Sequence, residues 1–396
     1  GALDGIRGTT NFMIEDVLFL LYATLAGMAV YFPMLFRMKF RFTNRQLLCC
    51  SAIVLGLCNA LTMHCQSMPI LTVVCFIAGM AKIQGTFECM SNIQLWITPR
   101  RDSAVFFPVL HIILLTALEG SGWLAAWFGH HFTWQMMHVF TIGTMLIVLL
   151  TQVIFCRPFC PMLQRLSLKG IDFHGALLIC GLMLVVSYIV VYGDHFMWFD
   201  TLCIRVLFGV AIVLFGIVLF RLRYYRYPYV ELNLFTLRNV VPILIVTFFA
   251  ELAFGAEHTM EEILYSEVIQ LEELTKEAQY MWVLPGMYVG ILFDLYWLKV
   301  RKWKIWKLFG IAFISIAFYG MLMYFTLDMP VNIEQYRLAI FLRGFAYAIL
   351  APALMWALDE SVPSLEQFFM GLFVFNIFHM YLAGAAGYGI YTTIFM

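Results

Sequence analysis

Charged side chains fall inside stretches otherwise apolar enough to cross a membrane, among them Lys82, Glu88, Glu119, Glu251 and Arg343. An ionisable group at bilayer depth costs on the order of 2.5–3.5 kcal/mol, so it faces a cavity or a partner. Carboxylates in that setting are suited to taking up and releasing protons, with Lys82 and Arg343 as counter-charges. The same residues also suit structural ion pairs between helices, and residue type alone leaves both uses open. A sharper pattern is Glu251, Gly255, His258 and Glu262, spaced by four, three and four on one helical face, with Glu257 and Glu261 beside it. Such a stripe fits a proton relay or a cation-attracting vestibule, with an imidazole titrating near neutral pH. From Glu261 to Glu277 the reading is a solvated acidic loop. One histidine is too few for a metal site there. His130, His131 and His138 cluster without the HxxxH or HxxHH spacing of a di-iron enzyme, and read as interface histidines. No enzymatic chemistry, cofactor or metal is expected.

The elements that must position these residues are membrane helices. Of the 396 residues 63% are hydrophobic and only 12% charged, about half the charge of a soluble domain. A water-facing globular surface is therefore excluded. Net charge is zero, which gives no support to nucleic-acid binding. Runs of about 20 apolar residues cross the hydrocarbon core as helices, because every backbone group must be satisfied internally there. Twelve such runs are expected, near 14–36, 46–66, 69–97, 103–128, 134–156, 171–193, 201–220, 238–258, 278–298, 305–326, 334–358 and 366–393. The ten cysteines lie mostly inside these runs and read as small apolar residues rather than a disulfide framework.

Lys and Arg collect in cytoplasmic loops. The first connection carries Arg37, Lys39, Arg41 and Arg45, the second only His64, and basic and non-basic loops alternate through the tenth. The ninth is the most concentrated, with Lys299, Arg301, Lys302, Lys304 and Lys307. Only the eleventh, Asp359 to Glu366, breaks the order by being acidic on the basic side. This places both chain ends outside. Polytopic carriers usually keep both termini in the cytoplasm, so a fragment lacking one helix at each end is expected.

Internal symmetry is a pointer to transporter folds. The third and eleventh spans are both long, with small residues near the middle and a polar end carrying Pro99 or Pro363. The first and ninth loops correspond as short basic turns. The offset of eight spans fits two six-helix halves separated by an inserted pair.

At this point the residues resemble the major facilitator superfamily, and within it the fourteen-span multidrug:proton antiporters. Gly290-Ile291-Leu292-Phe293-Asp294 looks like the start of the G-x-L-x-D-R motif before a basic loop. Gln84-Gly85 resembles a fourth-helix Q-G, and Phe132 to Gln135 is similar to the W-R-W-x-F stretch. Glu231 to Phe235 with Arg238-Asn239 looks like the L-D-L-x-L-F-R-N entry to the second half, and Asp172 to Gly175 resembles the D-x-x-G opening of the inserted pair. Phe36 and Phe40 stand where the first-half loop motif carries Gly and Asp. Ala81 occupies the fourth-helix arginine position, and Leu118 to Gly122 replaces the antiporter G-P.

The resemblance implies an all-α polytopic fold with residues 1–160 as an N-terminal bundle, 161–230 as the inserted pair and 231–396 as a C-terminal bundle. It implies a secondary transporter coupling protons to efflux of a small apolar or cationic solute by alternating access. The setting would be the plasma or bacterial inner membrane, with an adaptor protein in the periplasm as a further partner. Glu251, Glu88, Glu119, His258, Lys82, Arg343 and Gln84 would line the coupling or substrate cavity. Gly290, Asp294 and Arg41 would form the cytoplasmic gate, with Asp294 pairing to a neighbouring helix. The second hypothesis is a transport-inactive membrane sensor or scaffold of the same fold, prompted by the altered first-loop motif. The Ala383 to Gly389 small-residue run reads as a close-packing face.

Overall fold

The computed structural model describes residues 12–99, 102–160, 166–327 and 333–382. Within them the side chains of residues 169, 256–260, 262, 263, 267, 327, 333 and 380–382 lie outside the description. The described residues form helices and connecting turns, without strands. In chain order these are α1 (Ile14–Lys39), α2 (Asn44–His64), α3 (Met68–Ile97), α4 (Ser103–His131), α5 (Trp134–Phe155), α6 (Phe173–Tyr192) and α7 (Leu202–Tyr224). There follow α8 (Val240–Ile263), α9 (Glu273–Tyr280), α10 (Val283–Leu295), α11 (Ile305–Leu327), α12 (Tyr336–Ser361) and α13 (Leu365–Asn376). Within the described residues, which end at 382 in the last run, each of the twelve apolar runs overlaps a helix or helix pair. Ten helical segments have the length and composition of membrane spans, and Val240–Gly255 and Leu365–His379 are shorter apolar helices.

Local sequence starts and stops these helices. Thr43 caps α2, accepting from the Gln46 N–H while Gln46 reaches back to the Thr43 N–H. Asp172 caps α6 through the Gly175 N–H at 2.9 Å, and Ser364 caps α13 through the Gln367 N–H at 3.2 Å. The ninth run lies in one apolar helical stretch, Glu273–Arg301, with a turn at Met281 and Trp282 between α9 and α10. Pro285 has no N–H to donate and fits only the first turn of a helix, so α10 restarts there. The eighth span departs from expectation. α8 runs on to Ile263, through Glu261, and continues as a π-helical turn over Leu264–Val268, where an acidic loop was expected.

Two helix crossings set the frame. α1 meets α3 where Gly27 and Gly79 lie against each other's backbones: a Cβ on either would stand 2.0 Å from the Phe76 or Thr24 carbonyl oxygen. α10 meets α12 in the same way, with Gly286 against the Phe341 carbonyl at 2.0 Å and Gly344 against that of Val283 at 2.3 Å. The third and eleventh spans, matched in sequence, are the second partner in each crossing. α2 packs on α3 and α5, α11 on α12, and α6 pairs with α7 and leans on α1.

The first five helices meet the last six along two seams, α4 against α9, α10 and α12, and α1 against α13. On the face opposite the basic loops, the α4 seam is apolar. Leu115 joins Leu264, Tyr280, Val283, Leu284 and Met287 in one buried cluster. The Thr116 and Tyr288 hydroxyls meet at 2.9 Å, and His130 lies 3.1 Å from Glu272 at the rim.

Candidate functional site

On the basic face the two sets of helices enclose a cavity of about 430 Å³. Its floor and walls come from the ends of α1, α3 and α12 and the starts of α4 and α13, so every contributing helix reaches it near the basic loops. Phe87, Phe106, Phe107, Phe368 and Phe369 give it an aromatic lining. Phe87 and Phe369, from opposite sides of the seam, meet edge-on at 5.5 Å. Glu88 is buried in its wall and is electrostatically coupled to Lys39, whose ammonium also contacts Ser91 Oγ. His111 is buried beside it, with Nδ1 2.7 Å from the Phe107 carbonyl oxygen. That contact makes Nδ1 the donor and leaves Nε2 as the acceptor. The cavity therefore combines an aromatic lining with acceptor groups on Glu88, His111 and Asp359 and one cation, Lys39.

Three polar contacts bridge the seam around this cavity. Ser103 Oγ donates to Asp359 Oδ2 at 2.7 Å, Lys299 pairs with Asp102, and Arg37 Nη2 lies 3.3 Å from Glu366 Oε1. The acidic eleventh connection, anomalous by the positive-inside rule, thus supplies both second-half carboxylates of the bridge. Arg37 also donates to the Ser167 carbonyl at 3.4 Å. Gly170 lies so close that a Cβ there would stand 2.5 Å from the guanidinium carbon.

A second constellation lies deeper. Glu251, near the middle of α8, has Oε1 2.6 Å from His379 Nδ1, in the π-helical turn Ile377–Leu382 that follows α13. Tyr347 of α12 lies within electrostatic reach of both Glu251 and Glu119. The Glu251 carboxylate and the His379 imidazole thus meet between α8 and the end of α13, with the Tyr347 phenol of α12 in their field. His379 was not singled out from the sequence. The available signal was a lone histidine inside an apolar run, the same criterion that selected Glu251.

The other expected residues are distributed differently. Gln84 is buried in the α1–α3 interface, where its Oε1 accepts from the Tyr31 hydroxyl at 2.9 Å. Lys82 is exposed and does not line the cavity; its neighbours Ala81 and Ile83 are buried. Arg343 pairs at 3.1 Å with Glu261, which also accepts from Tyr319 at 2.7 Å. Glu261 is fully buried, so the solvated-loop reading is corrected at that residue. A guanidinium and a phenol on α12 and α11 replace its water. Gly290 lies tight against α12, 2.6 Å from the Phe345 carbonyl for an added Cβ. Asp294 is fully buried and neither oxygen finds a hydrogen-bond partner among the described residues, in contrast to the expected pairing. Arg41 is half-buried in the turn after α1. The side chains of His258, Glu257 and Glu262, and residues 383–389, lie outside the described part. Among the described residues no group of three or more His, Cys, Asp or Glu is placed to hold a metal.

No protein-family model matches the chain, and no curated protein matches it in sequence. Solved structures do match in shape. The human organic anion transporter MFSD10 (TETRAN) superposes with a TM-score of 0.59 at 13% identity, over 96% of this chain and 78% of that one. A proton-dependent oligopeptide transporter gives 0.51 at 14% identity, over 99% and 92%. Tetrameric PepTSo2 gives 0.52 at 13%, over 99% and 91%. At these identities the likeness is one of fold, and the chain has an all-helical, multi-pass membrane fold of the major-facilitator type.

Proposed function

We propose that the chain is a secondary active transporter that moves a small organic solute by alternating access, coupled to protons at Glu251 and His379. The observation that carries this reading is the asymmetry of the seam between the two sets of helices. One face is closed by the continuous apolar packing of Leu115 on α9 and α10, while the other holds a cavity crossed, among the described residues, by three polar contacts and the Phe87–Phe369 and Phe107–Phe368 ring contacts. Polar contacts exchange for water at little cost, whereas the apolar seam must be rebuilt on the other side. The described arrangement corresponds to the state with its cavity on the basic, cytoplasmic side.

The cavity favours an aromatic or otherwise apolar body with a cationic or donor group. Glu88 and Asp359 outnumber Lys39 among its charged lining residues, and His111 presents an acceptor. Export is the direction proposed, with the solute entering from the cytoplasmic side of a plasma or bacterial inner membrane. Of the fold neighbours, one is an organic anion transporter and others are proton-dependent peptide transporters. Coupling is placed at Glu251 and His379 because a proton arriving there changes a charge contact between α8 and the end of α13. Domain boundaries at 160 and 230, with α6 and α7 as an accessory pair, belong to the same proposal.

The test is solute-driven proton movement in proteoliposomes of the chain, screening aromatic amines, organic anions and short peptides. Flux that dissipates an imposed pH gradient is expected in the wild type. Glu251→Gln and His379→Gln are expected to lose the proton component, and Asp194→Asn, exposed and outside both sites, to keep it. Glu251→Gln behaving like wild type would place the coupling elsewhere. Saturable solute binding with no flux under any gradient would favour the sensor or scaffold reading.

A further inference from the structure

We propose that the turn joining α10 to α11 is a binding site for anionic phospholipid headgroups of the adjacent leaflet. Five of the nine residues from 299 to 307 are basic, and no acidic residue occurs between Leu295 and Leu327. Positive loops fix topology in any polytopic protein, but the cations of the first loop are spent inside the molecule. There Arg37 pairs with Glu366 and Lys39 with Ser91, and all four of its basic residues are half-buried. In the α10–α11 turn Lys299, Arg301, Lys302, Lys304 and Lys307 are all exposed.

This turn has a fixed shape. The π-helical segment Tyr296–Arg301 runs to Lys302, whose backbone takes the left-handed conformation with φ 54° and reverses the chain. The Trp303 N–H donates to the Trp297 carbonyl at 3.3 Å, and the Trp297 indole donates to the Lys304 carbonyl at 3.4 Å. The Trp297 and Trp303 rings meet edge-on at 4.4 Å. The Arg301 guanidinium lies 5.4 Å from the Tyr296 ring and 5.5 Å from the Trp303 ring, and donates to the Tyr296 hydroxyl at 2.5 Å. Stacking holds the guanidinium plane without neutralising it. Trp303 and Trp306 are 47% and 45% exposed beside these cations, the pairing of amphipathic ring and positive charge that suits the headgroup layer. A phosphodiester without a compensating ammonium on its headgroup fits this cluster of five exposed cations. A choline headgroup brings its own positive charge and fits poorly.

Lys299 links this surface to the seam, because its partner Asp102 lies at the start of α4. A lipid phosphate competes with Asp102 for that ammonium, so lipid occupancy loosens one of the three bridges over the cavity. The proposal does not rest on transport, since binding is read without flux.

The probes are brominated phosphatidylglycerol and brominated phosphatidylcholine, titrated into the full chain in detergent micelles and read as tryptophan quenching. The signal of Trp303 and Trp306 is obtained by difference from the Trp303→Phe/Trp306→Phe variant. Phosphatidylglycerol is expected to quench that component at lower concentration than phosphatidylcholine. Lys302→Gln with Lys304→Gln is expected to weaken it by about fivefold for each charge removed, while Lys302→Arg with Lys304→Arg retains it. Asp102→Asn is expected to strengthen it severalfold by releasing Lys299; no change there overturns the link to the seam. Equal quenching by the two lipids, or a preference that survives the double glutamine variant, overturns the site. Displacement by free glycerol phosphate would identify a soluble anion site and overturn the lipid assignment.

Discussion

Asp172 shows how much one residue at a helix end decides. Its carboxylate caps α6 through Gly175 and accepts from Arg221 of α7 at 2.8 and 2.6 Å, closing the α6–α7 hairpin from the basic side. Burial pushes the Asp172 pKa up, but the Arg221 hydrogen bonds, the Gly175 N–H and the Arg221 charge outweigh it and hold the group below the usual carboxylate range. A carboxylate with a depressed folded pKa contributes stability above its unfolded value, about 4, and loses it as pH falls through the folded value. Thermal unfolding of wild type and Asp172→Asn should therefore differ at neutral pH, begin to approach each other below about pH 4, and converge only once pH falls below the lowered folded value. At Arg343 and Glu261 the outcome differs in kind. Removing either partner strands a charge in the interior, so Arg343→Met or Glu261→Leu alone should cost about 3–5 kcal/mol. The double variant should recover most of that in denaturant unfolding, because no lone charge is left buried.

At the scale of elements, the glycine crossings bear the frame. An alanine at Gly27, Gly79, Gly286 or Gly344 would drive its Cβ into a facing backbone carbonyl, and backbone cannot step aside as a side chain can. Each substitution should cost at least about 3 kcal/mol, the upper end of ordinary overpacking. Gly143, Gly209 and Gly216 have open space at the same position, and alanine there should be neutral or stabilising by about 0.5–1 kcal/mol. Thermal midpoints of the two sets in one detergent separate these outcomes. The two crossings also give the sequence repeat a physical meaning. α1 with α3 and α10 with α12 are the same device used twice, a close helix contact that fixes the rotation of each partner and hence which residues turn inward.

At the scale of the whole molecule, the basic-side bridge and the apolar seam oppose each other across the membrane. Each of the bridging pairs is partly exposed, so each alone contributes less than about 1 kcal/mol. Their combined removal in Asp102→Asn/Asp359→Asn/Glu366→Gln should shift the population without unfolding the protein. In a variant lacking the native cysteines, a cysteine at Leu110 in the cavity wall should then react faster with a membrane-impermeant thiol reagent. An unchanged labelling rate would mean that the apolar seam alone sets the state. The α6–α7 hairpin takes part in this balance. Tyr192 donates to Asp16 at 2.5 Å at one end of α1, and Arg37 meets Ser167 and Gly170 at the other. α6 and α7 are thus riveted to the same helix that carries one side of the bridge.

By itself the sequence determined the twelve helical segments, the alternation of basic and non-basic connections, and the short list of charges at membrane depth. Bilayer thickness and the cost of an unsatisfied backbone group fix the first, and both act on local composition. The tertiary structure decided which of those charges meet. Helical spacing places Glu251 on a face of α8, but only packing brings His379 to it, and only the packing of α3 leaves Lys82 exposed while Glu88 enters the cavity. The end of α8 was misread for the same reason. Glu261 is polar by type, and it is buried because Arg343 and Tyr319 arrive from helices distant in sequence. Partner identity is a property of contacts between faces, which a single helix cannot encode.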